Sequence, residues 1–264
     1  MMTHSLRTVL ILGSGPDVIR ARAWPRGPFS QIVAINNAWQ VRECWDYLIH
    51  PEDFPPERGP AAHDPERQTV ITADIYVPVQ NSFGGFVYAG GTMAFTVGYW
   101  ALGELKPDVI AFLGCDMNYS GEKTHFYGRG DPDPLRQDVS LQSLEAKSAR
   151  LMVMAAARNC LCLNLSEQKA SKLIFPRASL DQIAALTKRS QALRLGALTG
   201  GFDLECAAEA KRREADLGYL VPSGRYWEEA GRFDAAELRG VDDLWLAAAG
   251  LERAVEAKRA RTGP

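Results

Sequence analysis

The sequence predicts an α/β protein in which a Rossmann-like, mostly parallel sheet is flanked by helices and followed by a helical appendage. Short apolar runs that end at Gly, Asn or Pro alternate with segments of helical pattern over the first two thirds of the chain. Such alternation is typical of a parallel sheet with right-handed crossovers. Ala-, Glu- and Arg-rich stretches then indicate helices at 203–217, 226–239 and 241–260. We therefore expect a Rossmann-like domain at 1–175 and a helical C-terminal appendage at 176–264, which would act as a lid or in oligomerisation.

Short runs of apolar and β-branched residues mark the predicted strands. They lie at 7–12, 31–35, 46–49, 69–73, 75–79, 109–113 and 161–165. Helical patterns lie between them at 17–23, from Gly90 to about Leu105, and at 138–159, while 51–68 is predicted to be a surface loop. Ser179 and Gln182 form a predicted capping box, because the serine oxygen can accept a hydrogen bond from a free N–H while the glutamine reaches back.

Composition and charge narrow the functional classes. The chain has 264 residues, of which 46% are hydrophobic and 23% charged, and its net charge is −2. No basic face is indicated, so duplex nucleic acid is not an expected partner. The apolar stretches are too short for a transmembrane segment, and the first residues lack a signal-peptide pattern, so the expected location is cytoplasmic. Five cysteines, an odd number, do not predict a disulfide framework.

The loop after the predicted strand at 109–113 carries the candidate catalytic residues. Ligands of open α/β sheets bind beyond the carboxyl ends of the strands. Histidine suits acid–base chemistry near neutral pH, and Lys or Arg can stabilise a departing phosphate, although a lone histidine is often structural. Two further acids would either hold Mg²⁺ or be plain loop residues. The candidates are Asp116, Tyr119, Lys123, His125, Tyr127 and Arg129, with Asp131 and Asp133 as the further acids.

Turns at other strand ends predict where a nucleotide binds. The turn at 13–16 can present backbone N–H groups to a phosphate, although Val18 stands where the dinucleotide fingerprint has its third glycine. Asparagine amides can bond a base or a ribose, and small residues at a helix start can approach a ligand. For each of these turns the plain alternative is local turn chemistry or close packing. The candidates are Gly13, Ser14, Gly15, Pro16, Asn36, Asn37, Gly90, Gly91, Thr92 and Gly114.

A basic and aromatic cluster, Arg225-Tyr226-Trp227, lies between two of the predicted C-terminal helices. It is expected either to contact a ligand or a partner, or to pack on the surface of the appendage. The sequence leaves these alternatives open.

Two families show motifs like these. Gly90-Gly-Thr-Met-Ala-Phe-Thr-Val and Leu113-Gly-Cys-Asp-Met-Asn-Tyr-Ser-Gly-Glu-Lys-Thr-His125, with the turn at 13–16, resemble the MptE-like family of hydroxymethylpterin pyrophosphokinases and motility accessory factors. The layout is also similar to that of glycosyltransferase family 42, bacterial sialyltransferases that use CMP-sialic acid. The resemblance covers roughly 7–175. Where those sialyltransferases carry the His implied as catalytic base, this chain has Arg129, so either His125 takes that role or the chemistry differs.

The resemblance implies a nucleotide-dependent transferase. The leading expectation is a glycosyltransferase that uses a nucleotide-activated sugar such as a CMP-nonulosonate, with His125 as general base and no required cofactor. The acceptor is left open. The first alternative is a Mg²⁺-dependent pyrophosphokinase that acts on a hydroxymethyl pterin-like substrate and holds its metal with Asp116, Asp131 and Asp133. The second is a non-catalytic nucleotide-binding or assembly protein, and a homo-oligomer is compatible with all three.

Overall fold

The computed structural model describes residues 6–119, 123–128 and 138–251. Their six strands are β1 (Thr8–Leu12), β2 (Gln31–Ile35), β3 (Tyr47–Ile49), β4 (Thr69–Ile71), β5 (Val109–Leu113) and β6 (Leu161–Asn164). All pair in parallel, in the order β4-β3-β2-β1-β5-β6. The chain order therefore reverses between β1 and β5, and this switch point is where ligands bind in sheets of this type. The predicted α/β, Rossmann-like fold is confirmed.

Helices cover both faces of the sheet and form the C-terminal part of the chain. The α-helices are α1 (Ala73–Ser82), α2 (Phe86–Ala89), α3 (Met93–Trp100), α4 (Leu144–Ala156), α5 (Leu180–Ala184), α6 (Lys188–Thr199), α7 (Leu204–Leu217) and α8 (Ala235–Ala248). Helix α3 continues as a π-helix over Ala101–Leu105. Short 3-10 helices lie at Pro16–Ala23, Asn36–Val41, Pro56–Arg58, Val139–Leu141 and Tyr226–Arg232. No helix among the described residues is both long and apolar enough to cross a membrane.

The core lies on both sides of the sheet. Along β1, Val9 and Ile11 join one buried apolar cluster, whereas Leu10 and Leu12 join the other. Successive side chains of a strand point to opposite faces, so a strand that is buried on both faces must be apolar throughout. This requirement explains why β1 and β5 could be predicted from unbroken apolar runs.

The C-terminal helices pack on α4. Ala149 and Val153 of α4 form an apolar cluster with residues of α7 and α8, while Leu151 and Met152 belong to the core against the sheet. Helix α4 is thus covered on two sides, and most of its side chains are buried. A helical C-terminal part is confirmed, and α7 agrees with the helix predicted at 203–217. The predicted bounds 226–239 and 241–260 are wrong, because a 3-10 helix at Tyr226–Arg232 is followed by a single helix, α8, that continues through residue 240. The division into two domains after residue 175 stays a prediction.

Local predictions had mixed outcomes. The capping box of Ser179 and Gln182 is confirmed at the start of α5. The predicted strand at 75–79 is wrong, because these residues lie within α1. Tyr76 and Gln80 are its buried residues, and a spacing of four is helical, so the β-branched composition of the segment was misleading. The helix predicted from Gly90 starts only at Met93, and 17–23 is a 3-10 rather than an α-helix.

Candidate functional site

A cavity of about 270 Å³ opens at the carboxyl edge of β1, β2 and β5. It lies at the switch point of the sheet, where the turns after these strands converge. Most of the residues predicted from the sequence line it together. They are Gly13, Ser14, Gly15, Pro16, Asn36, Asn37, Thr92, Gly114, Asp116, Tyr119, Lys123, His125 and Tyr127.

Two of the predicted glycines, Gly90 and Gly91, do not line this cavity. A Cβ added to Gly90 would lie 3.0 Å from Cγ of Lys147, and one added to Gly91 would overlap the Tyr226 hydroxyl. The Gly91 N–H donates to the Ser140 hydroxyl at 3.1 Å. These glycines therefore allow close packing, and neither lines the cavity. Of the predicted loop residues, Arg129, Asp131 and Asp133 fall outside the described residues.

The turn after β1 is joined to the turn after β5 through its backbone. The N–H of Gly13 donates to the carbonyl of Leu113, and the N–H of Gly15 donates to that of Gly114, both at 2.8 Å. A Cβ on Gly13 would overlap the Gly114 oxygen and lie 2.6 Å from the Cys115 sulfur. Since Pro16 has no N–H, few donors of this turn remain for a phosphate. Close packing of the two turns is therefore sufficient to explain why Gly13 and Gly15 are glycines.

Three polar atoms of the cavity walls are buried without a hydrogen-bond partner among the described residues. They are Ser14 Oγ, Asn36 Oδ1 and Asp116 Oδ1, and their residues follow β1, β2 and β5. The other carboxylate oxygen of Asp116 accepts a bond from the Ser166 hydroxyl at 2.6 Å. Most buried polar groups in folded proteins are paired, and each unpaired group costs about 1–3 kcal/mol. Their convergence on one cavity indicates a ligand that would pair them.

Two residues that line the cavity have a left-handed backbone conformation, which is unusual for residues other than glycine. Asn36 and Met117 are non-glycine residues with φ values of 52° and 51°. Asn enters this left-handed region more readily than other residues with a side chain, whereas Met117 gains nothing from its chemistry there. Such conformations persist when the surroundings impose them and concentrate at functional sites.

His125 lies between two tyrosines. Its ring stacks on Tyr127, with ring centres 5.1 Å apart, and lies 5.9 Å from the ring of Tyr119. Nδ1 is 2.9 Å from the Thr124 hydroxyl oxygen. Burial lowers the pKa of His125 below its usual value of 6.5, because desolvation disfavours the charged imidazolium. The lowered pKa favours the neutral ring at pH 7, which is the state that a general base requires.

The sequence analysis missed the wall formed by the segment after β3. Pro51, Asp53, Phe54, Pro55 and Arg58 line the cavity, although 51–68 was predicted only as a surface loop. The first of these residues directly follow β3, which ends at Ile49 and whose carboxyl end meets the same edge of the sheet. Arg58 lies further along the segment, at the end of the 3-10 helix Pro56–Arg58, and the end of the strand does not locate it. Arg58 and Lys123 give the cavity two cations, and Asp53 and Asp116 give it two carboxylates.

Cys115 is a packing residue. Its side chain is buried, and burial, with a smaller contribution from the Asp116 carboxylate, raises the pKa of the thiol well above its usual value. A thiol that stays protonated is a poor nucleophile. Within the described parts of the chain, no group of three or more His, Cys, Asp or Glu residues is placed to hold a metal ion.

The site thus combines a neutral histidine, two cations, two carboxylates and three unpaired polar atoms around one cavity. Its position at the switch point of a parallel sheet is where such folds bind their ligands. Comparison of the chain with protein-family models, with curated proteins and with solved structures finds no match in any of the three.

Proposed function

We propose that the chain is a glycosyltransferase that uses a nucleotide-activated sugar and binds this donor in the cavity at the switch point. The observation that carries the proposal is the convergence there of the unpaired atoms Ser14 Oγ, Asn36 Oδ1 and Asp116 Oδ1. The hydroxyl and amino groups of a nucleotide would supply the missing donors and acceptors. The cavity, at about 270 Å³, lies slightly below the roughly 300–1,000 Å³ of ligand pockets, a size that suits the nucleotide part of the donor.

The positive charges that line the cavity support binding of a phosphorylated donor. Lys123 and Arg58 both line the cavity, and cations of this kind form strong hydrogen bonds to phosphate oxygens. The hydroxyls of Tyr119 and Tyr127, which line the same cavity, would add neutral donors to the departing phosphate. CMP is the first nucleotide to test, because the motifs resemble those of enzymes that use CMP-activated sugars.

His125 would act as the general base. With Nδ1 beside the Thr124 hydroxyl, Nε2 is the nitrogen that would meet the acceptor. The acceptor oxygen would give its proton to Nε2 and attack the anomeric carbon of the sugar. The bond between that carbon and the phosphate oxygen would break, and the nucleotide would leave with both bonding electrons.

A thermal-shift panel of CMP, CDP, UDP, GDP, ADP and ATP, each with Mg²⁺ and with EDTA, tests the proposal. A ligand at one hundred times its Kd adds about 2.7 kcal/mol of stability. We expect CMP or CDP to stabilise the protein equally in both buffers, and Ser14→Ala to weaken this effect while Leu193→Ala, an exposed position of α6, leaves it intact. If no nucleotide stabilises the protein, the proposal is wrong and a non-catalytic role is favoured.

A second variant tests the chemistry. With a CMP-sugar that the panel identifies, His125→Ala should lower kcat by a factor of about 10²–10⁴, the contribution of a general base, while its CMP-induced thermal shift stays as in the wild type. Unchanged turnover in this variant would remove His125 from the role of base.

The presence of two carboxylates in the cavity, Asp53 and Asp116, favours a second candidate, the Mg²⁺-dependent pyrophosphokinase. Both line the cavity, and Mg²⁺ is bound in proteins through one or two carboxylates together with substrate phosphates. Stabilisation by ATP in Mg²⁺ that is lost in EDTA would support this candidate over the glycosyltransferase.

A further inference from the structure

A second cavity, of about 380 Å³, adjoins the first. It lies between α1, α2, the start of α3 and the segment 223–227. Three residues, Pro51, Asp53 and Met93, line both cavities. A molecule in the second cavity would therefore lie next to a donor in the first.

Aromatic side chains form one wall of this second cavity. Phe86 stacks on Tyr226, with ring centres 6.1 Å apart, and packs edge-on against Tyr76 at 6.4 Å. Trp227 meets Tyr226 edge-on at 5.5 Å and is 57% exposed. A large apolar ring exposed at the mouth of a cavity is free to cover a ligand. This wall includes two residues of the cluster Arg225-Tyr226-Trp227 that the proposed donor site does not use.

Two carboxylates accompany the aromatic wall. Glu52 and Asp53 line the cavity, and their charges lie close enough to Tyr76 to add to the effect of burial, which raises the pKa of its phenol to about 12. Arg225 pairs with Glu52 at 3.3 Å. Asp53 makes no ion pair among the described residues, and it lies where the two cavities meet. A carboxylate that makes no ion pair among the described residues therefore lies beside the aromatic rings.

We propose that the second cavity binds the acceptor and recognises in it a positively charged amine. The faces of Trp, Tyr and Phe attract cations, and the Asp53 carboxylate would attract the same charge at the junction of the cavities. The cationic recognition stands on this cavity alone, whereas the role of acceptor rests on the proposed glycosyltransferase. A donor at the switch point and an amine-bearing acceptor beside Asp53 would bring the two reacting groups together.

Isothermal titration with choline, and with its neutral isostere 3,3-dimethyl-1-butanol, tests this site. We expect choline to bind and the neutral alcohol to bind at least about fivefold more weakly, which is within the range of a cation–π interaction. Trp227→Ala and Asp53→Asn should each weaken choline binding, and Leu193→Ala, which is exposed and lines neither cavity, should not. Equal binding of the two probes, or choline affinity that is unchanged in Trp227→Ala, would overturn the proposal.

Two further measurements separate this proposal from the function of the donor site. The CMP-induced thermal shift should persist in Trp227→Ala, which would show that the variant is folded and that its first cavity is intact. If choline binds but no nucleotide does, the cation site stands while its role as acceptor site falls. If methyl β-galactoside binds in a Trp227-dependent way and choline does not bind, the cavity recognises a neutral sugar and the proposed amine recognition is wrong.

Discussion

The protein buries polar side chains in two regions, and the regions differ in whether those side chains are paired. Between α4 and the C-terminal helices, the Arg150 guanidinium donates to both carboxylate oxygens of Glu214, each at 2.8 Å, and to the Tyr99 hydroxyl at 2.8 Å. Trp245 donates to the same carboxylate at 2.7 Å. In the cavity at the switch point, Ser14, Asn36 and Asp116 each keep a buried atom without a partner among the described residues.

The difference separates a structural role from a binding role. A buried charge that is fully paired holds its neighbours in one arrangement, because removal of either partner strands the other in a medium of low dielectric. A buried polar atom that is unpaired does not stabilise the fold, and where three of them converge on one cavity, a ligand that pairs them would account for their presence. Changes at the first region should therefore affect stability, and changes at the second should affect binding.

The largest effect is expected at the paired cluster. Glu214→Ala would leave the Arg150 guanidinium and the Trp245 indole without their shared acceptor, so the free energy of unfolding should fall by about 3–5 kcal/mol. Urea denaturation measures this change. The matched control is Glu209→Ala on the same helix, because Glu209 pairs with Arg212 at the surface and should change stability by less than about 0.5 kcal/mol. Similar losses in the two variants would show that the buried pair has no special role.

The next effect is expected where the two turns meet beneath the cavity. The methyl group of Gly13→Ala would overlap the Gly114 carbonyl and crowd the Cys115 sulfur. Because the carbonyl belongs to the backbone, it cannot turn away as a flexible side chain would, and we expect a loss of about 1–3 kcal/mol. In Gly27→Ala the methyl group meets nothing within 4 Å, so this control should keep its stability. A stable Gly13→Ala protein would mean that the turns can separate.

The sequence predicted one of these two regions far better than the other. The position of the cavity could be predicted because it follows from local signals. Apolar runs locate the strands, and the carboxyl ends of parallel strands meet at the same edge of the sheet. The residues after β1, β2 and β5 could therefore be named. Asp53 lies soon after the end of β3 and follows from the same signal, whereas Arg58 lies too far along the loop to be located by the end of a strand.

The paired cluster could not be predicted in this way. Arg150 lies on a helix whose charged residues would ordinarily face water, yet it is only 1% exposed. Its burial depends on α7 and α8, which cover the second side of α4 and lie far along the chain. Gly91 is a similar case, because the group that excludes a side chain there is the Tyr226 hydroxyl. Neither the burial of Arg150 nor the contact between Gly91 and Tyr226 produces a recognisable pattern in the neighbouring sequence.

A smaller effect on stability is expected at Asp116. In Asp116→Asn, the amide oxygen can still accept from the Ser166 hydroxyl, which lies 2.6 Å from the present carboxylate. The variant removes a buried charge of which one oxygen is unpaired, so stability should change by less than about 1 kcal/mol while CMP binding weakens. Ser166→Ala is the matched control, since it strands the carboxylate and should cost about 1–3 kcal/mol. If Asp116→Asn were the more destabilising of the two, the carboxylate would be a structural rather than a binding group.

The smallest effect is expected from the titration of His125. Because burial lowers its pKa in the folded state, the unfolded chain takes up the proton first as the pH falls through the usual value of 6.5, and the folded protein loses stability from there down to the folded pKa. His125→Gln lacks this loss, so the difference in unfolding free energy between the wild type and the variant should shift against the wild type as the pH falls from 7.5 to 5. The other histidines are common to both proteins and cancel. The acid limb of kcat/KM should lie below pH 6.5 for the same reason, since a base in the cavity stays neutral for longer than one in water. If the difference in unfolding free energy does not depend on pH, the imidazole is solvated in the folded protein. His125 would then not belong to the buried binding region.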